Sequence, residues 1–207
     1  MPDWNDIFTK DGRVFLEPHS DMERLSELFK KKNIQTILDL GCGTGRHLIY
    51  FSKKGFDIFG LDCSLRGIEI AQQWLIKEGL KVDTVCSKIE DDFPFNDNSF
   101  DAVISIQVIH HNLLKNILKT VKEIERVVKK GGYLFVTFPY LYVNSKSGNW
   151  DLKRVEKNTY IPQKGKEKGL PHHYFSLNEI EEIFKNFEVI ENYIDSTNHR
   201  ALLGIKK

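Results

Sequence analysis

The most constraining feature of the sequence is a run of alternate glycines that follows a short apolar segment. Residues 36–47 read TILDLGCGTGRH, with glycine at positions 41, 43 and 45. Apolar residues without amphipathic alternation are typical of a strand buried on both faces of a parallel sheet. The glycines allow a sharp turn and a close approach to a ligand, and residues 46–53 carry a helical pattern of apolar residues. We therefore predict a strand, a turn and a helix start that form a nucleotide pocket at the carboxyl end of a sheet.

The spacing of the glycines indicates what kind of nucleotide the turn holds. A dinucleotide fingerprint, G-x-G-x-x-G, would place its third glycine at Arg46, whose side chain would crowd the pyrophosphate. Asp39 instead precedes the first glycine by two residues. A carboxylate at that position repels a phosphate and can orient an ammonium group, directly or through water. The turn is therefore predicted to bind a cationic amino-acid ligand, and a nicotinamide dehydrogenase is disfavoured.

The stretch LDLGCGTG resembles the first motif of the class I S-adenosylmethionine-dependent methyltransferases. The resemblance implies S-adenosyl-L-methionine as the cofactor. It also implies a Rossmann-like α/β fold, doubly wound, with a seven-stranded, mostly parallel sheet and an antiparallel C-terminal hairpin strand. The short chain that ends in PHHYFSLNEIEEIF and two strand-like runs also resembles the small single-domain members that include tellurite-resistance proteins. Within the first motif, the resemblance assigns cofactor binding to Asp39, Gly41, Cys42, Gly43 and Gly45.

The remainder of the chain alternates strand-like and helix-like segments. Predicted strands after the first cover residues 56–61, 81–86, 101–106 and 133–138, and two closing runs cover 187–194 and 200–205. Predicted helices cover residues 46–53, 65–78 and 113–128, and two more begin at capping-box patterns, Ser20 with Glu23 and Ser176 with Glu179. Gly131 and Gly132 are predicted to end the helix over 113–128. The alternation predicts a parallel sheet with right-handed crossovers.

Asp62 ends the second predicted strand, about twenty residues after the glycines, at the position that lies beside a bound ribose. In the resembled family an acid at this position accepts hydrogen bonds from both ribose hydroxyls of S-adenosylmethionine, and we expect the same of Asp62. A purely structural role is the alternative, because either Asp62 or Ser64 could cap the next helix. Cys63 and Gln107, which follow the ends of predicted strands, are further candidates for cofactor binding.

Residues 87–101 resemble the segment in which these methyltransferases hold the adenine ring. Many relatives carry an acid where this sequence has Lys88 or Ile89, and that acid accepts a hydrogen bond from the adenine amino group. We expect the backbone of Ile89 to contact the ring edge instead, with Glu90 or Ser87 replacing the missing acceptor. Lys88, Ile89 and Glu90 are therefore candidates for cofactor binding.

Composition limits the classes of protein to which the chain can belong. Its 207 residues suffice for one doubly wound domain, so we predict a single domain over residues 1–207. A net charge of +1 gives no global attraction to nucleic acid or lipid, and no apolar run approaches the ~20 residues that span a bilayer. The N-terminal residues lack a basic segment followed by an apolar one, which predicts a cytoplasmic protein without membrane contact. Cys42, Cys63 and Cys86 form no C-x-x-C pair and are predicted to be reduced and structural.

Two segments are predicted to cover the cofactor. Residues 1–33 form an N-terminal arm and a helix, and we expect the arm to close over the cofactor. Residues 139–175 have weak periodicity and many tyrosines and lysines, with seven Lys or Arg against three acids. A loop of this length is usually functional or disordered, so we predict a lid-like insertion. The alternative is a solvated, lysine-rich loop that its aromatic residues merely anchor.

Histidines supply the candidate catalytic groups. His110 and His111 follow the fourth predicted strand, where a side chain can face the methyl group, and His172, His173 and Tyr174 lie at the end of the lid-like insertion. Each could act as a base if the acceptor holds its proton, and a hydrogen-bonded residue of the pocket wall is the alternative. Our hypothesis is that His110 or His111 orients the acceptor. No metal is expected, because adjacent histidines rarely point at one ion and no carboxylate or cysteine stands at an obvious ligand spacing around either pair.

The leading hypothesis is methyl transfer from S-adenosylmethionine to an unidentified small-molecule acceptor. The basic lid also permits methylation of RNA or protein, so nucleic acid remains a less favoured partner. A non-catalytic module that binds the cofactor and serves a partner protein is a third reading. Salt-sensitive binding of a polyanion would favour the second reading, and cofactor binding without turnover would favour the third. The sequence leaves the acceptor atom and the oligomeric state open.

Overall fold

The computed structural model describes residues 4–139 and 151–207 of the chain. The helices in these residues are α1 (Trp4–Asp11), α2 (Met22–Lys31), α3 (Arg46–Lys53), α4 (Leu65–Lys77), α5 (Leu114–Val127) and α6 (Leu177–Ile183). The strands are β1 (Thr36–Leu40), β2 (Asp57–Asp62), β3 (Thr84–Cys86), β4 (Phe100–Ile106), β5 (Val128–Pro139), β6 (Leu152–Glu156), β7 (Thr159–Pro162), β8 (His172–His173), β9 (Phe187–Ile194) and β10 (His199–Lys206).

Seven of the strands form one sheet, in the order β3-β2-β1-β4-β5-β10-β9. The pairs among β1 to β5 are parallel, whereas β10 is antiparallel to both of its neighbours. The predicted fold class, a doubly wound and mostly parallel sheet with an antiparallel C-terminal hairpin strand, is confirmed. The strand order reverses between β1 and β4, and ligands of doubly wound sheets bind outside the carboxyl ends of the strands at that point.

Alternate residues of the central strands enter two hydrophobic cores, one on each face of the sheet. On one face, β-strand residues such as Ile37 and Ile104 pack with residues of α2, α3 and α4. On the other face, Leu38 and Val103 pack with residues of α5 and α6. Because both faces are covered, most residues of the central strands are apolar, which is the pattern that made β1 recognisable in the sequence.

The two predicted capping boxes have different outcomes. At Ser176 the box is present, because Ser176 Oγ accepts from the backbone N–H of Glu179 and the Glu179 carboxylate accepts from the backbone N–H of Ser176. The box predicted at Ser20 is wrong. α2 begins at Met22 and its N-cap, Asp21, has helical backbone angles and no capping side chain. Ser20 Oγ instead lies 3.0 Å from Ser196 Oγ, and Glu23 binds Tyr50 and Lys54.

Two other predicted bounds need correction. The structure shortens the third strand from the predicted residues 81–86 to Thr84–Cys86, because only those residues pair with β2. Gly131 and Gly132 do not end α5, which stops at Val127, and β5 begins at Val128 and runs through both glycines. The chain therefore enters the sheet directly from the helix, and Gly131 takes a positive φ of 74° within the strand.

The segment between β5 and α6 carries its own small sheet, where the sequence predicts a loop with weak periodicity. Strands β6, β7 and β8 form this three-stranded sheet. It is fixed to the start of α5, because the Glu156 carboxylate accepts from the backbone N–H of Leu114 at 2.7 Å. His173 also donates its backbone N–H to the carbonyl oxygen of His110 at 2.9 Å. Tyr140, Tyr142 and Trp150 of the predicted lid lie outside the described residues.

Candidate functional site

A cavity of about 840 Å³ lies at the carboxyl ends of β1, β2 and β4. It contains most of the residues that the sequence predicts for the site, namely Gly41, Cys42, Gly43, Asp62, Cys63, Lys88, Ile89, Glu90, Gln107, His110 and His111. Asp39 and Gly45 are absent from the lining, and each supports the turn from behind. The location matches the switch point of the strand order, where a doubly wound sheet holds its ligands.

Two positions of the glycine turn have no room for a side chain. Gly41 and Gly45 have φ angles of 80° and 92°, in the region that favours glycine. A Cβ atom at Gly41 would lie 2.3 Å from Val108 Cγ2, and one at Gly45 would lie 2.9 Å from the Cβ of Ala71. The turn therefore presses against the loop after β4 on one side and against α4 on the other.

Asp39 is buried beneath the turn, with one carboxylate oxygen that lacks a partner among the described residues. Its exposed fraction is 1%, and Oδ2 accepts no hydrogen bond from them. Burial raises the pKa of Asp39 from 3.8 to about 7, the Asp62 carboxylate adds to the rise, and the Arg46 guanidinium opposes it. His47 Nδ1 lies 3.8 Å from Oδ2. Burial lowers the pKa of His47 well below its ordinary range, so this contact is not an ion pair at neutral pH.

Asp62 lines the cavity at the tip of β2 and fixes the two segments around it. Oδ2 accepts from the backbone N–H of Gly43 at 2.8 Å, and Oδ1 accepts from that of Ser64 at 2.8 Å. Burial raises the pKa of Asp62, and these N–H groups oppose the rise by stabilising the carboxylate. Ser64 is the N-cap of α4, since its Oγ accepts from the backbone N–H of Gly67. The side chain of Asp62 is thereby held at the cavity wall with a fixed orientation.

The predicted adenine segment reaches the cavity through residues 88–90. The carbonyl oxygen of Ile89 accepts from Thr120 Oγ1 at 2.8 Å and is therefore already engaged. Glu90 accepts from Asn112 Nδ2 at 3.1 Å. Ser87 is not part of the cavity lining, so of the two substitutes suggested for the missing acid only Glu90 is in place.

The remaining cofactor-binding candidates differ in what holds them. Gln107 has a positive φ of 60° and its Nε2 lies 3.3 Å from Thr197 Oγ1 and 3.2 Å from His199 Nδ1. Cys42 is buried, Cys63 and Cys86 are exposed, and none of the three forms a disulfide with a described residue. Burial raises the pKa of the Cys42 thiol well above its ordinary value, so this cysteine is protonated and unreactive.

Helix α1 lies over the glycine turn and, through Trp4, also reaches His111. Asn5 Oδ1 accepts from the backbone N–H of Arg66 at 2.9 Å, which docks α1 on the start of α4. The ring of Phe8 lies against Gly43 and Gly67, where an added Cβ would be 3.4 Å and 3.0 Å away. Trp4 contacts His111 edge to face, with ring centroids 5.2 Å apart. The described part of the N-terminal arm therefore shields the turn from solvent.

Histidines from two parts of the chain meet at the other end of the cavity. His110 and His111 come from the loop after β4, and His172 comes from β8 of the small sheet. Burial lowers the pKa of His110 well below its ordinary range and that of His111 to about 3, so both rings are neutral at pH 7. Of the other two candidates, Tyr174 lines the cavity, whereas His173 is buried elsewhere, with Nδ1 2.7 Å from Thr159 Oγ1.

Four ionisable residues of the cavity have no role in the assignment made from the sequence. These residues are Arg46, His47, Glu167 and His199. The position of Arg46 and His47 in the first turn after the glycines is a signal that could have found them. Glu167 is the only acid among residues 157–175, which contain four lysines, and an isolated acid in a basic segment also indicates a specific role. No comparable signal marks His199.

The site fits S-adenosylmethionine on three structural observations. Asp39 Oδ2 is a buried acceptor without a donor among the described residues, and an acid in that state either keeps its proton or is paired with a cation or a donor. The turn is closed to any side chain at Gly41, so its backbone faces the cavity directly. The cavity is also within the range of ~300–1,000 Å³ that holds small ligands and cofactors.

Comparison with known proteins gives relatives among the methyltransferases. Residues 38–136 match the family described as Methyltransferase domain. The ubiquinone biosynthesis O-methyltransferase of Vibrio parahaemolyticus is 30% identical over 144 residues, which are 70% of this chain and 58% of that protein. A mouse protein named "Probable tRNA methyltransferase 9B" is 38% identical over 103 residues, which are 48% of this chain and 21% of that protein.

A solved structure supports the same assignment at the level of the fold. The S-adenosylmethionine-dependent methyltransferase of Clostridium acetobutylicum superposes with a TM-score of 0.75 at 16% identity, covering 97% of this chain and 96% of the other. In the described part of the chain, no helix is both long and apolar enough to cross a bilayer. The sequence match, the strand order and the turn with its two carboxylates agree, and the chain belongs to the class I S-adenosylmethionine-dependent methyltransferase family.

Proposed function

We propose that this chain transfers the methyl group of S-adenosylmethionine to a small-molecule acceptor. The observation that carries the proposal is the continuity of the cavity, which joins the glycine turn and Asp62 to the histidines at its other end. One end has the residues expected for the cofactor, and the other presents neutral imidazoles. A single domain and a cytoplasmic location belong to the same proposal and stay predictions from the sequence.

S-adenosylmethionine, when bound, would supply a methyl group on a positively charged sulfur. The acceptor would displace the sulfur in line, so that the leaving group departs as a neutral thioether. The chain then has to position two reactants and exclude water, and well-oriented reactants gain about 7–11 kcal/mol over free ones. Asp62, fixed by two backbone N–H groups, holds the ribose. Asp39 lies buried beneath the turn, where a bound cation would favour its ionised form, and Trp4 and Phe8 line the cavity.

His110 and His111 act in this proposal as hydrogen-bond acceptors that orient the methyl acceptor. Because burial lowers the pKa of His111 to about 3, its ring binds a proton weakly and is a poor general base at pH 7. The low pKa also keeps the ring free of positive charge, so a lone pair is available to a donor on the acceptor molecule. This favours the orienting role over the role of a base.

The relatives differ in the acceptor that their names give, ubiquinone biosynthesis in one case and tRNA in the other. The chain spans 58% of the first relative and 21% of the second, so neither name transfers to it directly. The cavity favours a small molecule, because α1 covers one end and residues of the small sheet wall the other. A nucleic-acid strand would need an open groove lined by cations and stacking rings.

The experiment is calorimetric titration with S-adenosylmethionine and with S-adenosylhomocysteine, on the wild type and on two matched variants. Asp62→Asn removes a charged acceptor at the cavity wall, and charge-assisted hydrogen bonds contribute ~1.5–3 kcal/mol, so both ligands should bind roughly 10- to 100-fold more weakly. Asp57→Asn changes an exposed residue at the opposite end of β2 and should leave both affinities unchanged. Equal affinities of wild type and Asp62→Asn would contradict the assignment.

Turnover then separates the three readings of the site. Formation of S-adenosylhomocysteine would be measured with a panel of small phenols and nitrogen heterocycles, and with bulk tRNA at low and high salt. Turnover with a member of the panel is expected. Turnover with tRNA alone, falling steeply with salt, would support nucleic-acid methylation instead. Tight cofactor binding without any turnover would support the non-catalytic module.

A further inference from the structure

Imidazoles from two adjacent residues of the loop after β4 and from one residue of β8 form a cluster at the acceptor end of the cavity. We refer to His110, His111 and His172 as the three-histidine cluster. One ring nitrogen from each residue lies within 4.8 Å of the corresponding nitrogens of the other two. The ring centroids are 3.9 Å apart for His110 and His111, 4.6 Å for His111 and His172, and 5.7 Å for His110 and His172.

Two of these rings have buried nitrogens without a partner. Nδ1 of His110 and Nδ1 of His111 are both buried and form no hydrogen bond with any residue that the structure describes. His110 is 3% exposed. An unpaired buried polar atom costs about 1–3 kcal/mol, and native proteins rarely leave two such atoms together without a ligand or ion between them. Each nitrogen is therefore expected to have a binding partner outside the residues that the structure describes.

Hydrogen bonds to the opposite side of the rings fix which nitrogen carries a lone pair. His111 is hydrogen-bonded to the backbone of Pro171, and because its Nδ1 has no partner, that bond uses Nε2. His172 Nδ1 lies 3.0 Å from the carbonyl oxygen of Leu170, to which it donates. Backbone carbonyls hold metal-binding histidines in the same way, by fixing the tautomer and the ring orientation. The neutral ring of His111 therefore presents the lone pair of Nδ1. In His172 the bond from Nδ1 leaves Nε2 as the ring atom that could bind an ion.

The second nitrogen of His172 faces a carboxylate. Its Nε2 lies 2.8 Å from Glu167 Oε2, while Nδ1 already donates to a carbonyl oxygen. A lone pair and a carboxylate oxygen repel each other at this distance unless a positive charge lies between or beside them. A proton on the ring would provide that charge, and so would a metal ion that binds the ring nitrogen. Glu167 thus adds an anionic group to the edge of the cluster.

We propose that the three-histidine cluster binds a divalent transition metal ion of the zinc type. Zinc commonly takes three imidazole nitrogens and leaves a fourth position open in catalytic sites. Two nitrogens at zinc–nitrogen distances of about 2.0–2.1 Å are roughly 3.4 Å apart in a tetrahedral site, so side-chain rotation has to close the widest pair by no more than about 1.4 Å. The fourth position would face the cavity, where an oxygen of an acceptor molecule can bind.

The charge balance of the site agrees with this assignment. Imidazoles that bind a metal ion through a lone pair carry no charge, so they would leave the double charge of the ion unopposed, and the Glu167 carboxylate beside His172 would offset part of it. Glu167 is accordingly a positioning residue or a further ligand of the ion. The proposal concerns metal binding, which does not depend on the methyl transfer proposed above. A bound ion would use the histidine lone pairs and would thereby take over the orienting role proposed for His110 and His111.

The test begins with the wild-type protein, freed of metal by a chelator and titrated with Co²⁺ in the absence of cofactor. Tetrahedral Co²⁺ absorbs visibly, which reports on geometry as well as binding. We expect one Co²⁺ per chain with a tetrahedral spectrum that Zn²⁺ abolishes by displacement. A wild-type crystal soaked in Zn²⁺ should show an anomalous peak between the three rings. Absence of both the spectrum and the peak would overturn the proposal.

Variants then identify the ligands. His111→Gln and His172→Gln each remove one lone pair and should weaken Zn²⁺ binding by more than about 100-fold, beyond the 10- to 100-fold typical of groups around the ligands. Glu167→Gln should weaken it by roughly 10- to 100-fold. His199→Gln is the matched control, because His199 lines the same cavity outside the cluster, and it should bind as the wild type does.

The remaining outcomes also decide the question. Metal binding that His199→Gln abolishes and His111→Gln leaves intact would overturn the assignment of ligands. If His172→Gln fails to fold, as judged by circular dichroism, the result with His111→Gln and the position of the zinc peak in the wild type still decide. If Zn²⁺ displaces Co²⁺ with the same affinity in the wild type and in all variants, the metal binds at a surface site, and the proposal is likewise refuted.

Discussion

Substitution of Gly41 by alanine should destabilise the protein far more than the same substitution at another glycine with the same backbone conformation. Gly41 has a φ of 80°, and an added Cβ would lie 2.3, 2.5 and 2.9 Å from Cγ2, Cγ1 and Cβ of Val108. Gly55 has a φ of 89° and no atom within 4 Å of an added Cβ. The pair therefore separates the strain of the backbone from the clash with Val108.

The expected magnitudes follow from these two contributions. A left-handed conformation costs an L-residue about 1–2 kcal/mol, which applies to both glycines. Overpacking typically adds about 1–3 kcal/mol, which applies to Gly41 alone. Gly55→Ala should therefore lower the free energy of unfolding by about 1–2 kcal/mol and Gly41→Ala by about 2–5 kcal/mol. The difference in free energy of unfolding between the two variants measures the cost of the steric clash between residue 41 and Val108.

The assay is urea denaturation, with the midpoint and the slope determined separately so that a change in slope is not mistaken for a change in stability. Val108→Ala removes both Cγ atoms, and in the double variant with Gly41→Ala it should recover part of the lost stability. A double-mutant cycle should give a coupling energy of about 1–3 kcal/mol between the two residues. If Gly41→Ala destabilises no more than Gly55→Ala, or the cycle shows no coupling, the packing argument for this glycine is refuted.

Two further predictions test the buried acid and the helix cap. Because burial raises the pKa of Asp39 from 3.8 to about 7, the folded protein retains a proton that the unfolded chain loses. Its stability relative to Asp39→Asn should therefore fall as pH rises from about 4 to about 7, by on the order of 1–4 kcal/mol, measured by urea denaturation without ligand. A constant difference between the two proteins would mean that Asp39 ionises normally. Ser176→Ala removes an observed capping box and should cost about 0.5–2 kcal/mol, whereas Ser20→Ala, where no box forms, should cost under about 0.5 kcal/mol.

Local patterns in the sequence predict the sheet and the cofactor turn correctly because the determining contacts are short in range. β1, the glycines and α3 are consecutive, and the apolar residues of β1 show by themselves that both of its faces are covered. The absence of the capping box at Ser20 could not be predicted from the local sequence. The Glu23 side chain, which the box requires, binds Tyr50 and Lys54 in and after α3 instead. Tertiary contacts override a local signal of about 1 kcal/mol.

The three-histidine cluster illustrates the opposite case. The sequence argument against a metal considers the pair His110–His111 and the pair His172–His173 separately. In the second pair the side chains do point apart, because His172 lines the cavity and His173 contacts Thr159. What brings His172 to His110 is the pairing of β8 with β7, joined to the loop after β4 by the backbone bond from His173 to His110. A two-residue strand has no periodicity that could be recognised in the sequence, and His172 lies about sixty residues after His110. The cluster is therefore visible only in the fold.

The two ends of the cavity are linked through one short loop. Residues 107–111 begin at Gln107, whose positive φ turns the chain out of β4 and whose backbone N–H is held by Thr137. The next residue, Val108, packs against Gly41 of the cofactor turn, and His110 is bound through its carbonyl oxygen to the small sheet. The loop therefore contacts the cofactor turn and the small sheet through residues two positions apart. Because in-line transfer requires both reactants to be aligned, a loop that contacts both the turn and the small sheet is a direct way for this fold to provide that alignment.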